Sequence, residues 1–140
     1  MRKFCLIIVA AILFTFQGKA QVLQIFGGEK HDVYLGCLNC SNYDSNSIWN
    51  SYGDYGSKYN SSSIWNSYSE YGSAYSSYSP FNSYALYPPV IVDEDGNFYG
   101  YFTVNTAKSQ RAIFNLVLII YKYHEEIKDD VSEWYYKIFN

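Results

Sequence analysis

Apolar positions along the chain fall into blocks of different period, and each block predicts a different element. From Phe4 to Phe16 the chain is almost wholly apolar, interrupted only by Thr15. Val33-Tyr34-Leu35 is a short β-branched and aromatic run ended by Gly36. Val90-Ile91-Val92 and Phe98-Tyr99-Gly100-Tyr101-Phe102-Thr103-Val104 flank Asp93-Glu94-Asp95-Gly96-Asn97, a pattern that predicts a β-hairpin over 89–105 with an acidic turn. An isolated hairpin is marginal, so a third strand or a covering helix is required, and Val33 to Leu35 is placed to supply the strand. From Ser109 the spacing changes. Ile113, Leu116, Val117, Ile120, Tyr123 and Ile127 fall three and four residues apart, which predicts a helix over 109–128 laid on the hairpin. Ser132, Trp134, Tyr135 and Phe139 suggest a shorter closing segment after Asp129-Asp130.

The middle of the chain follows neither period. Tyr43 to Lys58, Tyr59 to Ala74 and Tyr75 to Pro88 read as three units of a sixteen-residue repeat, the third degenerating as it ends. Trp49, Trp65 and Phe81 hold one equivalent position, and Asn50, Asn66 and Asn82 hold the next. Disorder normally goes with few aromatics, yet ten tyrosines and two tryptophans lie between Tyr43 and Tyr87. The aromatic positions are therefore expected to be inward anchors, and the asparagines to satisfy backbone groups that irregular turns leave unpaired. Gly53, Gly56 and Gly72 oppose a continuous helix. The expected fold class is α+β: a small antiparallel hairpin or three-stranded sheet, a stacked Tyr/Trp-rich turn-and-loop repeat and a C-terminal helix.

The first block changes what the mature protein is. Arg2 and Lys3, the apolar run, and Gly18-Lys19-Ala20 have the order of a secretory signal peptide with a cut after Ala20. The run is shorter than the roughly 20 residues that span a bilayer. The expected organisation is a signal peptide over 1–20 and a single domain over 21–140, secreted or periplasmic, with no stable membrane span after cleavage. Losing Arg2, Lys3 and Lys19 leaves seven basic against thirteen acidic side chains. That balance argues against nucleic acid, whose backbone demands dense Lys and Arg.

Cleavage would also remove Cys5 and leave Cys37 and Cys40 as the only cysteines. In an exported chain the direct reading is a disulfide. A metal site would add His31, and Asp32, to the two sulfurs. A redox pair would want the first cysteine at a helix N-terminus, and no helical pattern follows Cys40. Asp93, Asp95 and Asn97 alternate as in calcium loops, but no glutamate completes an EF-hand, and a plain hairpin turn accounts for them. His31 and His124 are far apart, the serines sit in turn contexts, and no carboxylate pair stands out. The chain offers no catalytic constellation and no cofactor motif.

Aromatic content leads elsewhere. Tyr52, Tyr55, Tyr68 and Tyr71 recur in phase and form a candidate binding surface for a protein, carbohydrate or cell-wall partner, since a tyrosine ring stacks while its hydroxyl hydrogen-bonds. The words Tyr34-Leu35-Gly36-Cys37-Leu38-Asn39-Cys40, the repeated Ser-Ile-Trp-Asn, and Pro88-Pro89-Val90-Ile91-Val92-Asp93 leading to Gly96-Asn97-Phe98-Tyr99-Gly100 occur in order. Over roughly Val33 to Val104 the chain resembles a family of uncharacterised bacterial secreted proteins, in which similar segments also follow secreted catalytic domains. The resemblance implies an accessory module and transfers no active site. The expected function is a secreted binding or structural module. The alternative is a redox or metal-binding protein centred on Cys37 and Cys40.

Overall fold

A computed structural model describes residues 21–140; the segment expected from the sequence to be a signal peptide, 1–20, lies outside the described residues. Leu23, Ile25 and Gly27 point one way and are buried, while Gln24 and Phe26 are half-buried, so β1 (Leu23–Gly27) has the two-residue period of a strand. It turns through Gly28 into β2 (Val33–Cys37). After a long excursion the chain returns as β3 (Val90–Asp93) and β4 (Phe98–Tyr101). The four strands form one antiparallel sheet in the order β2-β1-β3-β4.

The expected α+β class with a small antiparallel sheet holds, and the sheet has four strands where two or three are expected, the added one being β1. β1 runs between the Val33 arm and the hairpin, with Ile25 opposite Ile91 on one side and Gly36 on the other. Both outer strands carry a bulge with a glycine at positive φ, Gly36 at 109° and Gly100 at 119°. Each glycine also sits where another segment covers the sheet edge. Cys37 N–H donates to the Asn46 carbonyl at 2.7 Å, and Ile48 N–H donates to the Cys37 carbonyl at 3.0 Å. On the far side Tyr101 N–H donates to Gln110 and Ala112 N–H donates to Tyr101. A Cβ on Gly36 would stand 3.0 Å from the Asn46 oxygen, and one on Gly100 2.8 Å from the Ala112 backbone. Strand edges that would otherwise present free backbone groups are thus occupied.

Between β2 and β3 the chain is a coil of consecutive tight turns. Backbone N–H groups of Asp44, Ser47, Asn50 and Gly53 each donate to the carbonyl three residues earlier, Ser57 closes a four-residue step to Gly53, and the same sequence of steps runs on to Ser73. Four three-residue turns and one four-residue turn make up each sixteen-residue layer. The corner residue of nearly every turn is Ser, Asp or Asn, and its side-chain oxygen accepts from the N–H two residues on. Tyr43 donates to Ser41, Trp49 to Ser47, Tyr52 to Asn50 and Tyr59 to Ser57 in this way. These are Asx and Ser/Thr turns, which satisfy backbone donors that no strand or helix serves. The four-residue steps carry Gly56 and Gly72, where a Cβ would come within 2.0 Å of the Asn50 and Asn66 oxygens.

The residue two after each corner projects outward or inward according to its place in the layer. Trp49, Trp65 and Phe81 project inward and stack, with centroids 5.6 Å apart for the first pair and 5.9 Å for the second. Indole N–H groups knit the layers: Trp49 Nε1 donates to Leu38 O at 2.7 Å and Trp65 Nε1 to Ile48 O at 2.6 Å. His124 extends the column at one end, stacking on Phe81 at 4.4 Å, and Tyr135 and Phe139 close the other against Trp49.

Two helices hold these last residues. α1 (Asn115–Asp129) starts six residues after the expected boundary, because Gln110, Arg111 and Ala112 are committed to the edge of β4 and Gln110 has φ 61°. Ile113, expected on the buried face, is consequently exposed, while Val117, Ile120 and Ile127 are buried. α1 packs on the aromatic column of the turn coil and on Phe102 just beyond the hairpin, rather than lying on the strands. Tyr121 ties its first half down, donating to the Ala112 carbonyl at 2.9 Å and accepting from Thr103 N–H at 3.2 Å. α2 (Val131–Phe139) follows a sharp break at Asp130, whose carboxylate accepts from Glu133 N–H as an N-cap. Among the described residues, no helix is long and apolar enough to cross a membrane.

Candidate functional site

Six tyrosines of the turn coil face water, in two rows. Tyr43, Tyr59 and Tyr75 form one row, and Tyr52, Tyr68 and Tyr84 a second, with members of each row sixteen residues apart and all six between 83% and 99% exposed. Of the four tyrosines singled out in the sequence, Tyr52 and Tyr68 are in these rows. Tyr55 and Tyr71 are half-buried. Tyr55 packs edge-on against Tyr34 at 5.0 Å, and Tyr71 lies against β1 near Gly27. Burial raises the Tyr71 phenol pKa, and with help from the neighbouring Tyr55 and Asp44 charges it pushes Tyr34 up to about 12. The sequence reading missed Tyr43, Tyr59, Tyr75 and Tyr84. A three-residue rhythm of Ser or Asx, any residue, then an aromatic marks their corners, and it equally marks the inward Trp49, Trp65 and Phe81 and the half-buried Tyr71, so it does not tell exposed rings from buried ones.

Where the coil meets the helices, a cleft opens along the tyrosine rows. Its first hollow, about 300 Å³, lies between Tyr43 and Tyr52, with Trp49 at the base and Tyr136 opposite. The second, about 210 Å³, lies between Tyr52 and Tyr59 against Val131 and Ser132. The third, about 570 Å³, lies between Tyr59 and Tyr68 against Lys128 and Asp129. Tyr52 borders the first two hollows and Tyr59 the last two, so the three run on from one another. Tyr136 neighbours Tyr43 across the first, and the interaction between the two phenols raises the Tyr43 pKa.

Lys128 closes the floor rather than offering a free charge. Its Nζ donates to Ser67 Oγ at 3.1 Å and to the Gly72 carbonyl at 3.0 Å, and sits 4.9 Å from the Phe81 ring centre. Burial lowers its pKa, and Glu125 at 3.9 Å opposes that shift. His124, one turn earlier, is lowered chiefly by burial, with Glu125 and Glu126 pulling the other way and Lys128 adding to the depression.

The asparagines beside the anchors are structural. Each of Asn50, Asn66 and Asn82 donates from Nδ2 to a carbonyl six residues earlier, Asp44, Asn60 and Ser76 in turn. Each also accepts at Oδ1 from the N–H two residues later, those of Tyr52, Tyr68 and Tyr84. They set the corners from which the exposed tyrosines project.

Cys37 and Cys40 are joined in a disulfide with Cα atoms 5.6 Å apart. Sulfurs bonded to one another are not thiolate ligands, and His31 sits at the far end of β2, its Nε2 3.2 Å from the Pro88 carbonyl. The bridge shapes a loop in which Asn39 acts as a strand partner for the chain's start. Its Nδ2 donates to Gln21 O at 2.6 Å and its Oδ1 accepts from Leu23 N–H at 2.9 Å. In the hairpin, Asp93 accepts from the N–H groups of Asp95 and Asn97, from Asn97 Nδ2 and from the Tyr99 hydroxyl. These donors, Asn97 first, lower its pKa and occupy the oxygens that a cation would need. Among the described residues, His, Cys, Asp and Glu do not gather in groups of three or more that could hold a metal ion. Comparison with protein-family models, with curated proteins and with solved structures finds no match in any of the three.

Proposed function

We propose that this chain is a secreted or periplasmic binding module that holds an envelope or protein partner on the tyrosine rows of its turn coil. One observation carries the reading: six tyrosines stand almost fully in solvent at equivalent corners of successive layers, contributing little to the packing beneath them. Large aromatic rings on a surface are costly to leave exposed unless something covers them, and tyrosine is the residue that combines apolar area with a hydrogen-bonding tip. A rigid coil with every corner hydrogen-bonded presents those rings already ordered, which lowers the entropy lost on binding. Export by the N-terminal segment agrees with a disulfide in the mature chain. The sixteen-residue repeat, and the resemblance to secreted accessory segments, support a surface that is multiplied rather than a single reactive centre.

The test is binding of purified protein to envelope extracts and cell-wall fractions. Saturable binding that weakens in the Tyr52→Ala and Tyr68→Ala variants, with thermal unfolding unchanged, is the expected result. Binding no greater than that of an inert secreted control would refute the proposal.

A further inference from the structure

The geometry points to a neutral, linear polysaccharide as the ligand of the tyrosine-walled cleft. This inference rests on the binding-module reading and names the chemistry of its ligand. A pyranose ring has two faces of C–H groups and a rim of hydroxyls. It is held by a flat aromatic face with neutral hydrogen-bonding groups around it. Each hollow supplies two tyrosines for the faces, and serine hydroxyls for the rim: Ser51 and Ser132 in the first and second, Ser67 in the third. A serine hydroxyl carries one donor and two acceptor sites, so its bonds within the protein do not exhaust it.

Charge argues for a neutral chain. Lys128 spends its protons on Ser67 and Gly72, inside the protein. Lys58 is the other cation along the hollows, and Asp129 and Asp130 stand on the helix side. An anionic polymer would need several free basic groups along its track, and a chain with thirteen acidic side chains would repel it.

Repetition argues for a polymer of like units. The exposed tyrosines recur once per sixteen-residue layer in each row, so the cleft offers like surfaces one after another. The hollows share Tyr52 and Tyr59, so one extended chain passes from each hollow to the next along a continuous track.

Calorimetric titration of the purified full-length protein with cello- and chito-oligosaccharides of increasing length tests the inference. The expected result is affinity that rises by about tenfold or more from the shortest to the longest ligand, then levels once the cleft is spanned. Tyr59→Ala, which alters two hollows, weakens the longest ligand by about tenfold or more, while Ile113→Ala, an exposed side chain outside the tyrosine rows and the hollows, stays within about twofold. Affinity independent of length, or unmoved by Tyr59→Ala, overturns the inference. Envelope binding that persists without any glycan binding and is abolished by protease treatment of the extract also overturns it, in favour of a protein partner, and leaves the binding-module reading standing. Loss of both kinds of binding removes both.

Discussion

The indole N–H of Trp65 donates to the carbonyl of Ile48 at 2.6 Å, across seventeen residues of sequence and one layer of the turn coil. Both residues are buried, so neither group has water as a substitute. This bond fixes the register of one layer on the next, and with it the alignment of the exposed rows. Trp65→Phe keeps most of the ring but strands the Ile48 oxygen, at a cost of about 1–3 kcal/mol. Trp65→Ala adds the cavity and should cost about 3–5 kcal/mol. Denaturant unfolding measures both, and a Phe variant as stable as the parent would show that the bond does not hold the layers.

Gly56 and Gly72 make a sharper case. Their φ angles are not in the left-handed region, so conformational freedom is not what they provide. They provide room: the Asn50 and Asn66 carbonyls lie 2.0 Å from where a Cβ would stand. Backbone cannot retreat there without breaking the corner bonds of the same asparagines. Gly72→Ala should therefore cost at least about 3 kcal/mol, beyond the usual loss for overpacking a side-chain contact. Gly96→Ala is the control. Nothing lies within 4 Å of it, its φ is 83°, and it should lose only about 1 kcal/mol to backbone strain. Equal losses at the two positions would contradict the steric account.

His124 gives the fold an acid sensitivity with a defined sign. Its pKa is lowered in the folded chain, so the unfolded chain binds the proton more tightly. The stability that goes with a neutral His124 is full above the unfolded value of 6.5 and is lost as pH falls through the lower folded value. Asp93 acts in a separate, more acidic window, below the ordinary carboxylate value of 3.8, since its pKa too is lowered by the donors around it. His124→Phe preserves a flat ring against Phe81 and removes the titration. Its unfolding free energy should fall less than that of the parent between pH 7 and pH 5, and parallel curves would exclude His124 as the source.

The Cys37–Cys40 bridge closes a very short loop, so its entropic contribution is about 2 kcal/mol. The greater consequence is local. Leu38 accepts from Trp49 Nε1, Cys37 pairs with Asn46 and Ile48, and Asn39 pairs with Gln21 and Leu23, all within four residues. Reduction should lower stability by about 2 kcal/mol and speed hydrogen exchange first at the Leu23 and Ile48 amides and the Trp49 indole. Exchange that quickens uniformly over the chain would argue against a local hub.

The elements that were legible in the sequence are those made by neighbours. The hairpin of β3 and β4 follows from its own turn, and a short closing segment after Asp129-Asp130 was legible from Ser132, Trp134, Tyr135 and Phe139, though not that it is the helix α2. The missed features depend on distant partners. Leu23 and Ile25 alternate as a strand should, but nothing nearby marks Val90 to Asp93 as what they pair with. Ser109 to Phe114 has helical spacing, yet its backbone is taken by β4. In the site, sixteen-residue phase placed Tyr52 with Tyr68 and Tyr55 with Tyr71, and phase alone does not say which pair meets the sheet. Tyr34 decides that, by packing on Tyr55 from β2.

That division of the tyrosines has a direct stability consequence. Tyr71 lies against the core cluster and is half-buried, whereas Tyr68, three residues earlier, is 99% exposed. Tyr68 lies in the three-residue step from Asn66 and Tyr71 in the four-residue step from Ser69, and alanine at either position removes the side chain and leaves the backbone turn in place. Tyr71→Ala should cost about 2 kcal/mol, less than a fully buried aromatic, while Tyr68→Ala should stay within about 0.5 kcal/mol. Measured side by side with partner binding, the two variants separate packing from recognition. Tyr68→Ala should lose binding and keep stability. A Tyr68→Ala variant that unfolds as readily as Tyr71→Ala would place that ring in the packing of the coil and remove it from the binding surface.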